Sequence, residues 1–263
     1  MPTTRPKALI TGAARRLGRA MALYLAHRGH DVAIHYASSA AEAEAVAAEA
    51  RALGVHATPL PADLTVEAEM QALLPAAAQA LGGPLSVLIN NASIFEHDDI
   101  TTATRQSWDR HIESNLRAPV VLTQAFAAQA PRAETDAQGE PRARALVVNL
   151  IDQRVRKLTP EFLSYTIAKM GLWAFTRTAA QALAPHIRVN AIGPGPTLQG
   201  ARQSAGHFAA QRAACPLGRG ASPDDITAAL GYFLDAPAVT GQLLCIDGGQ
   251  HLAWKAPDVL GVE

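Results

Sequence analysis

Tyr165 and Lys169 lie four residues apart in Tyr165-Thr166-Ile167-Ala168-Lys169, inside a stretch with helical periodicity, so both side chains fall on one helix face. A free phenol titrates at a pKa of about 10 and is a poor acid or base near neutrality. An ammonium beside it favours phenolate and brings that value toward working pH, which makes the pair a candidate proton-transfer centre. Asp152 stands thirteen residues before the tyrosine. An ionised carboxylate only accepts hydrogen bonds and opposes a developing oxyanion, so it argues against an ordinary ketone as the acceptor. It suits an acceptor that presents N–H donors or takes its proton on nitrogen. Its charge raises the Tyr165 pKa while Lys169 lowers it, and spacing alone leaves open which prevails.

A second constellation lies near the start. Thr11-Gly12-Ala13-Ala14-Arg15-Arg16-Leu17-Gly18 follows a short apolar strand and opens a helix, the context in which a glycine motif has meaning. Gly12 permits the turn and Gly18 allows close packing. The helix N-terminus offers unpaired N–H groups and positive dipole to a pyrophosphate. At the end of the next strand, where an NAD site has an acidic residue for the ribose, the chain reads His35-Tyr36-Ala37-Ser38-Ser39, and the first carboxylate, Glu42, comes later. A 2′-phosphate would meet two hydroxyls and no repelling charge, and Arg15 can supply the cation, so NADPH is the expected cofactor. Asp63 can accept from an adenine amino group or cap the following segment.

The elements that must position these groups follow from periodicity. Strands are expected at Lys7–Thr11, Asp31–Tyr36, Val55–Leu60, Leu85–Asn90, Leu146–Ile151, Ile187–Ile192 and Gln242–Ile246. Helices are expected at Arg16–Arg28, Ala40–Leu53, Val66–Leu81, Arg105–Ala130 and Glu161–Ala184. Short apolar runs alternating with helices define βαβ units, hence an α/β fold: a doubly wound, Rossmann-like parallel sheet with helices on both faces. Pro131–Arg144 reads as a surface loop and Gly193–Leu217 as a substrate lid; no element is assigned between residues 218 and 241. At 263 residues, 49% hydrophobic and 17% charged, the chain suits one domain. With 23 basic and 23 acidic residues, no nucleic-acid partner is expected. Met1–Lys7 carries no signal-peptide pattern and no run is long and apolar enough for a membrane, so a cytoplasmic location is expected. Cys215 and Cys245 are expected to be free thiols. His97-Asp98-Asp99 and His111-Ile112-Glu113 lack a partner cluster at ligand spacing, and no metal is expected.

Taken together, the glycine loop, Asn90-Asn91-Ala92, Asn115, Tyr165/Lys169, Gly193-Pro194-Gly195 and Asp247-Gly248-Gly249 resemble, in order, the short-chain dehydrogenase/reductase set. The resemblance implies that Tyr165 is the proton donor, that Lys169 binds the nicotinamide ribose and tunes the tyrosine, and that Asn115 holds a water in the proton relay. It implies cofactor contacts at Gly12, Arg15, Arg16, Leu17, Gly18, His35, Tyr36, Ser38, Ser39, Asp63, Leu64, Asn91, Ala92, Ser93, Pro194, Gly195 and Thr197, besides Tyr165 and Lys169. Two positions depart from the family pattern: Arg16 replaces a glycine and Asp152 replaces a serine. Both departures are similar to pteridine reductases, and dihydromonapterin reductases share the aspartate. The matching stretches are TGAARRLG, HYASSAAEA, NNASIF, SNLRAP and the Asp152–Tyr165–Lys169 triad, with Gly195 followed by Pro196-Thr197-Leu198. That resemblance implies that Phe95 stacks on a pterin and sandwiches it against the nicotinamide. It also implies that Ser93 and Leu198 join Asp152 and Tyr165 around the substrate, with Arg16 near the pterin or serving the cofactor alone. Phe162, three residues before Tyr165, can line the pocket or pack in the core. Position alone also allows Phe95 to be a core or lid aromatic. The implied activity is reduction of a dihydropterin by NADPH. A carbonyl reductase or alcohol dehydrogenase is the alternative, and a cofactor-binding sensor without catalysis is a third reading. A homotetramer paired through the long helices is expected from the resemblance.

Overall fold

Successive side chains of each central strand point to opposite faces of the sheet, and here both faces are buried. Ala8, Ile10, Val32, Ile34, Val87, Ile89, Leu146 and Val148 join one hydrophobic cluster, while Leu9, Ala33, Leu88, Val147 and Val189 join the other. The computed structural model describes residues 5–200 and 203–254. Met1–Thr4, part of the segment read for targeting, and residues 201 and 202 of the expected lid lie outside the described residues.

The strands β1 (Lys7–Ile10), β2 (Asp31–Tyr36), β3 (Ala57–Pro61) and β4 (Val87–Asn90) alternate with helices α1 (Arg16–His27), α2 (Ala40–Ala52) and α3 (Glu67–Ala80). After β4 come α4 (Arg105–Ile112), a π-helical turn at Glu113–Arg117, and α5 (Ala118–Gln129). A short antiparallel hairpin, β5 (Glu134–Thr135) and β6 (Pro141–Arg142), leads into β7 (Ala145–Leu150), α6 (Leu163–Leu183) and β8 (Ile187–Pro194). The chain continues with α7 (Ala205–Ala213), α8 (Pro223–Asp235) and β9 (Leu243–Ile246). The main sheet has seven strands in the order β3-β2-β1-β4-β7-β8-β9, every pairing parallel. The strand order reverses between β1 and β4, so a crevice opens beyond their carboxyl ends, where ligands bind in such sheets.

Four expectations change. The long helix is broken by the π-helical turn, which contains Asn115; such turns concentrate at functional sites. The loop before β7 folds into the β5–β6 hairpin because Asp136 Oδ1 accepts from the Gln138 and Glu140 N–H groups and closes a tight turn. The lid is partly helical, with Ser204 capping α7 through the His207 N–H. The unassigned stretch holds α8, whose start was legible: Ser222 and Asp225 form a reciprocal capping box with Pro223 in the first turn. Cys215 and Cys245 are both free. Among the described residues no helix is long and apolar enough to cross a membrane, and no group of three or more His, Cys, Asp or Glu could hold a metal ion.

Candidate active site

The crevice is a cleft of about 1270 Å³ that runs from Arg15, Ala37 and Asp63 at one end to Arg154, Phe162 and Phe208 at the other. At the first end the glycine loop is built for close approach. Gly12 has φ +62°, and its N–H donates to His35 Nδ1 at 2.9 Å. The opposite ring nitrogen of His35 lies 2.9 Å from the Ala62 carbonyl, which fixes the proton on Nε2. Burial lowers the His35 pKa, in keeping with a neutral ring. His35, expected as a cofactor contact, therefore uses both nitrogens to brace the loop. A Cβ on Gly18 would lie 2.2 Å from the Gly12 carbonyl oxygen and 2.6 Å from Asn91 Nδ2. Asn91 Nδ2 in turn donates to the Thr11 and Gly12 carbonyls. The first turn of α1 carries no acidic residue and no side-chain cap, so its N–H groups and dipole are left for an anion. This glycine-lined, uncapped cradle fits the pyrophosphate of a dinucleotide.

Leu17, Leu64, Ala92, Ser93, Pro194, Gly195 and Thr197 also line the cleft, as expected residues do, and Ala37 joins them; Tyr36, Ser38 and Ser39 do not. The strand end turns Ala37 inward instead. Asp63 Oδ1 accepts from both the N–H and the hydroxyl of Thr65, a local turn rather than a cap of α3. Glu42 is not remote: it pairs with Arg15 at 2.6 Å, so a 2′-phosphate at Arg15 meets a carboxylate competitor. Arg16 explains its own departure from glycine. Its φ is +54°, the region glycine favours, and its guanidinium donates to the Gln199 and Leu198 carbonyls at 2.8 and 3.0 Å. Arg16 thereby ties the glycine loop to the lid, in addition to facing the cleft.

At the other end, the Tyr165 hydroxyl donates to Asp152 Oδ2 at 2.9 Å, and the Arg154 N–H donates to Asp152 Oδ1 at 2.8 Å. Burial and the Asp152 charge raise the Tyr165 pKa well above its ordinary value, outweighing Arg154 and Ser93. The question left open by spacing is thus decided in favour of a protonated phenol. Burial also raises the Asp152 pKa. Lys169 lies with its Nζ 5.6 Å from the Tyr165 ring centroid and donates to the Leu150 carbonyl at 2.8 Å; burial lowers its pKa to about 8. Below about pH 8 the ammonium is charged in both folded and unfolded chains. Between about 8 and the ordinary 10.5 only the unfolded chain holds the proton, so stability rises with pH in that window. Urea midpoints of the wild type should show this rise and those of Lys169→Met should not.

Tyr165 and Lys169 do not line the open cleft. Tyr165 is 5% exposed and covered by Phe95, whose ring meets it edge-on at 4.7 Å and stacks on Phe162 at 4.2 Å with an interplanar angle of 11°. Arg154 caps this stack, 5.1 Å from the Phe162 centroid. Phe162 precedes α6 with φ +58°, which is why the helix starts at Leu163 rather than Glu161. Phe95 is therefore a stacking residue already, with Phe162 as its partner. Asn115 does not reach the cleft either: its side chain both donates to and accepts from the Ile94 backbone, each at 2.8 Å, and so fixes the loop that carries Phe95. Sequence reasoning missed that Asp98, Ser164 and His111 form a buried group behind Tyr165, since no local spacing links residues from three segments.

Comparison with known proteins agrees with this geometry. The family described as Enoyl-(Acyl carrier protein) reductase matches residues 12–251. The 3-oxoacyl-(acyl-carrier-protein) reductase FabG of Staphylococcus aureus is 30% identical over 250 residues, covering 93% of this chain and 98% of that protein. FolM alternative dihydrofolate reductase 1 from Brucella canis, solved in complex with NADP, is 40% identical with a TM-score of 0.88, over 99% of this chain and 100% of that one. The promiscuous reductase LugOII, which catalyses keto-reduction at C1 during lugdunomycin biosynthesis, is 27% identical with a TM-score of 0.85, over 96% of this chain and 100% of that one. The glycine cradle, the Tyr165–Lys169 pair and these matches along nearly all of its length place the chain in the short-chain dehydrogenase/reductase family.

Proposed function

We propose that this protein is an NADPH-dependent reductase of a pteridine, converting a dihydropterin to the tetrahydro form. The observation that carries the reading is the Tyr165–OH to Asp152 Oδ2 hydrogen bond. A carboxylate at this point repels an oxyanion but can serve proton delivery to a ring nitrogen. The name and NADP complex of the Brucella canis relative support it. The cofactor, when bound, supplies the hydride. Gly12, Gly18 and the start of α1 would receive its pyrophosphate, and Arg15 and Arg16 would face its phosphates. Lys169, now held on the Leu150 carbonyl beneath the Phe95 cover, would hold the nicotinamide ribose once that cover moves. Phe95, which stacks on Phe162, would exchange that partner for the flat heterocycle, with Ser93 and Leu198 flanking it. The Tyr165/Asp152 pair then delivers the proton. When Asp152 is itself protonated, loss of one proton leaves the hydrogen-bonded phenol and carboxylate seen here rather than two adjacent anions. Orientation of the two rings supplies much of the rate gain.

NADPH oxidation with dihydrobiopterin and dihydromonapterin, run against a panel of ketones, tests the reading; turnover of ketones alone would overturn it. Ketone reduction is the second reading because FabG and LugOII are also similar. Phe95→Ala should raise the dihydropterin KM roughly 3- to 10-fold, the equivalent of about 0.5–1.5 kcal/mol of ring stacking, with NADPH affinity retained. An unchanged KM by steady-state kinetics would remove the stacking role. The outward side chains Trp108 of α4 and Ile167 and Met170 of α6 are 39% exposed each, and we assign this face to pairing of subunits in a homotetramer.

A further inference from the structure

Behind Tyr165, on the side away from the cleft, a buried group joins three segments that meet nowhere in sequence. His111, at the end of α4, is fully buried. Its Nε2 accepts from the Glu96 N–H at 3.1 Å, which places the ring proton on Nδ1. Nδ1 lies 2.7 Å from the Ser164 hydroxyl and donates to it. The Ser164 hydroxyl in turn donates to Asp98 Oδ2, which also accepts from the Ser107 hydroxyl at 3.0 Å. Asp98 Oδ1 accepts from the Ser164 N–H at 3.1 Å, and the Asp98 carbonyl accepts from the Leu163 N–H at 3.2 Å. From the Glu96 N–H through His111 and Ser164 to Asp98, each step has one direction, while the Ser107 hydroxyl divides its proton between Asp98 Oδ2 and the Thr104 carbonyl. Burial favours the neutral ring that the chain requires. Burial also opposes the charge on Asp98, but the bonds from Ser164 and Ser107 together hold its carboxyl below the ordinary range.

The two ends of the chain are the two working parts of the site. Glu96 follows Phe95, so the His111 Nε2 bond fixes the loop that presents the stacking ring. Ser164 precedes Tyr165, so the Nδ1 bond fixes the first turn of the helix that presents the phenol. The His111 ring also meets the Tyr165 ring edge-on at 6.0 Å. We infer that His111 is a positioning residue that sets acceptor specificity, by holding the Phe95 loop and the Tyr165 helix in one fixed relation. The specificity part of this inference rests on the pteridine reading, because a flat heterocycle needs Phe95 in place and a small ketone does not.

Three substitutions separate the two bonds. His111→Phe keeps a buried ring and removes both. His111→Gln places an amide oxygen near the Nε2 position and restores only the acceptor for Glu96. His111→Asn places an amide N–H near the Nδ1 position and restores only the donor to Ser164. His111→Phe should raise the dihydropterin KM roughly 3- to 10-fold through the displaced ring and lower kcat by as much as roughly 10²-fold through the displaced phenol. Its NADPH Kd should be unchanged. The Gln variant should recover KM more than kcat, and the Asn variant kcat more than KM. A merely structural residue would lower both together with Tm and show no such split. Wild-type kinetics in His111→Phe, or losses in all three variants that follow Tm alone, would overturn the proposal. Hydrogen exchange across residues 93–99 gives a readout that needs no pteridine. It should rise in His111→Phe and return in His111→Gln; unchanged exchange in His111→Phe would also overturn the proposal. If the wild type reduced only ketones while the His111 variants showed this exchange pattern, the pteridine reading would fail and the positioning role would stand.

Discussion

Tyr165→Phe should lower kcat for the dihydropterin by roughly 10²- to 10⁴-fold, the usual worth of a positioned general acid, with NADPH Kd unchanged. The ring and its contacts with Phe95 and His111 survive the substitution, so packing is preserved and only the hydroxyl is lost. That hydroxyl is the group that burial and Asp152 keep protonated at neutral pH. The variant also strips Asp152 Oδ2 of its hydrogen-bond donor while leaving it buried, which pushes the carboxyl pKa further up. Residual activity should therefore increase toward acid pH as Asp152 becomes the remaining acid. Stopped-flow measurement of NADPH oxidation across pH, with cofactor affinity from fluorescence titration, checks both parts. A loss of less than about threefold, well short of a general acid's contribution, would mean that the proton comes from elsewhere.

Asp152→Asn should cost roughly 10²-fold in dihydropterin kcat/KM, at the low end for an acid–base group. The amide oxygen can still accept from Tyr165, so geometry is largely kept while charge and proton capacity go. Under the proposed proton delivery the doubly protonated pair is the competent one, so wild-type turnover should rise as pH falls through the elevated pKa of Asp152. The Asn variant has no titrating carboxyl there and should lose this acid-side rise. Its phenol, freed of a neighbouring negative charge, should titrate at lower pH than in the wild type. Asp152→Ser adds a complementary arm: a hydroxyl can donate to a carbonyl oxygen, so the kcat/KM ratio of ketone to dihydropterin should increase. If Asn and Ser both retained wild-type dihydropterin turnover with an unchanged pH profile, proton delivery through the carboxylate would be excluded.

Much of this protein was legible because its signals are local. Apolar runs of strand length between helical patterns impose a parallel sheet with both faces covered, and the strands at Asp31–Tyr36 and Ile187 onward stand where periodicity put them. Gly12 and Gly18 declare a close approach of backbone to backbone, and the approach is there. The four-residue spacing of Tyr165 and Lys169 needs only a helix to place them together. The features that depart from expectation are those in which a remote segment competes for a side chain. Arg15 meets Glu42, His35 meets Gly12, and Arg16 reaches the lid carbonyls. No window of sequence contains both members of any of these pairs at a spacing that a helix or strand would bring together.

By itself, then, the order of residues determined the doubly wound sheet, the nucleotide cradle and the identity of the phenol–ammonium pair, since each depends on short-range periodicity or on the steric demands of single residues. Tertiary structure alone decided the bond between Asp152 and Tyr165, the upward direction of the phenol's pKa, the cover of Phe95 and Phe162 over it, and the His111 junction behind it. Desolvation is a property of everything packed around a group, and a hydrogen bond between segments 53 residues apart, such as His111 to Ser164, exists only after the helices that carry them have docked.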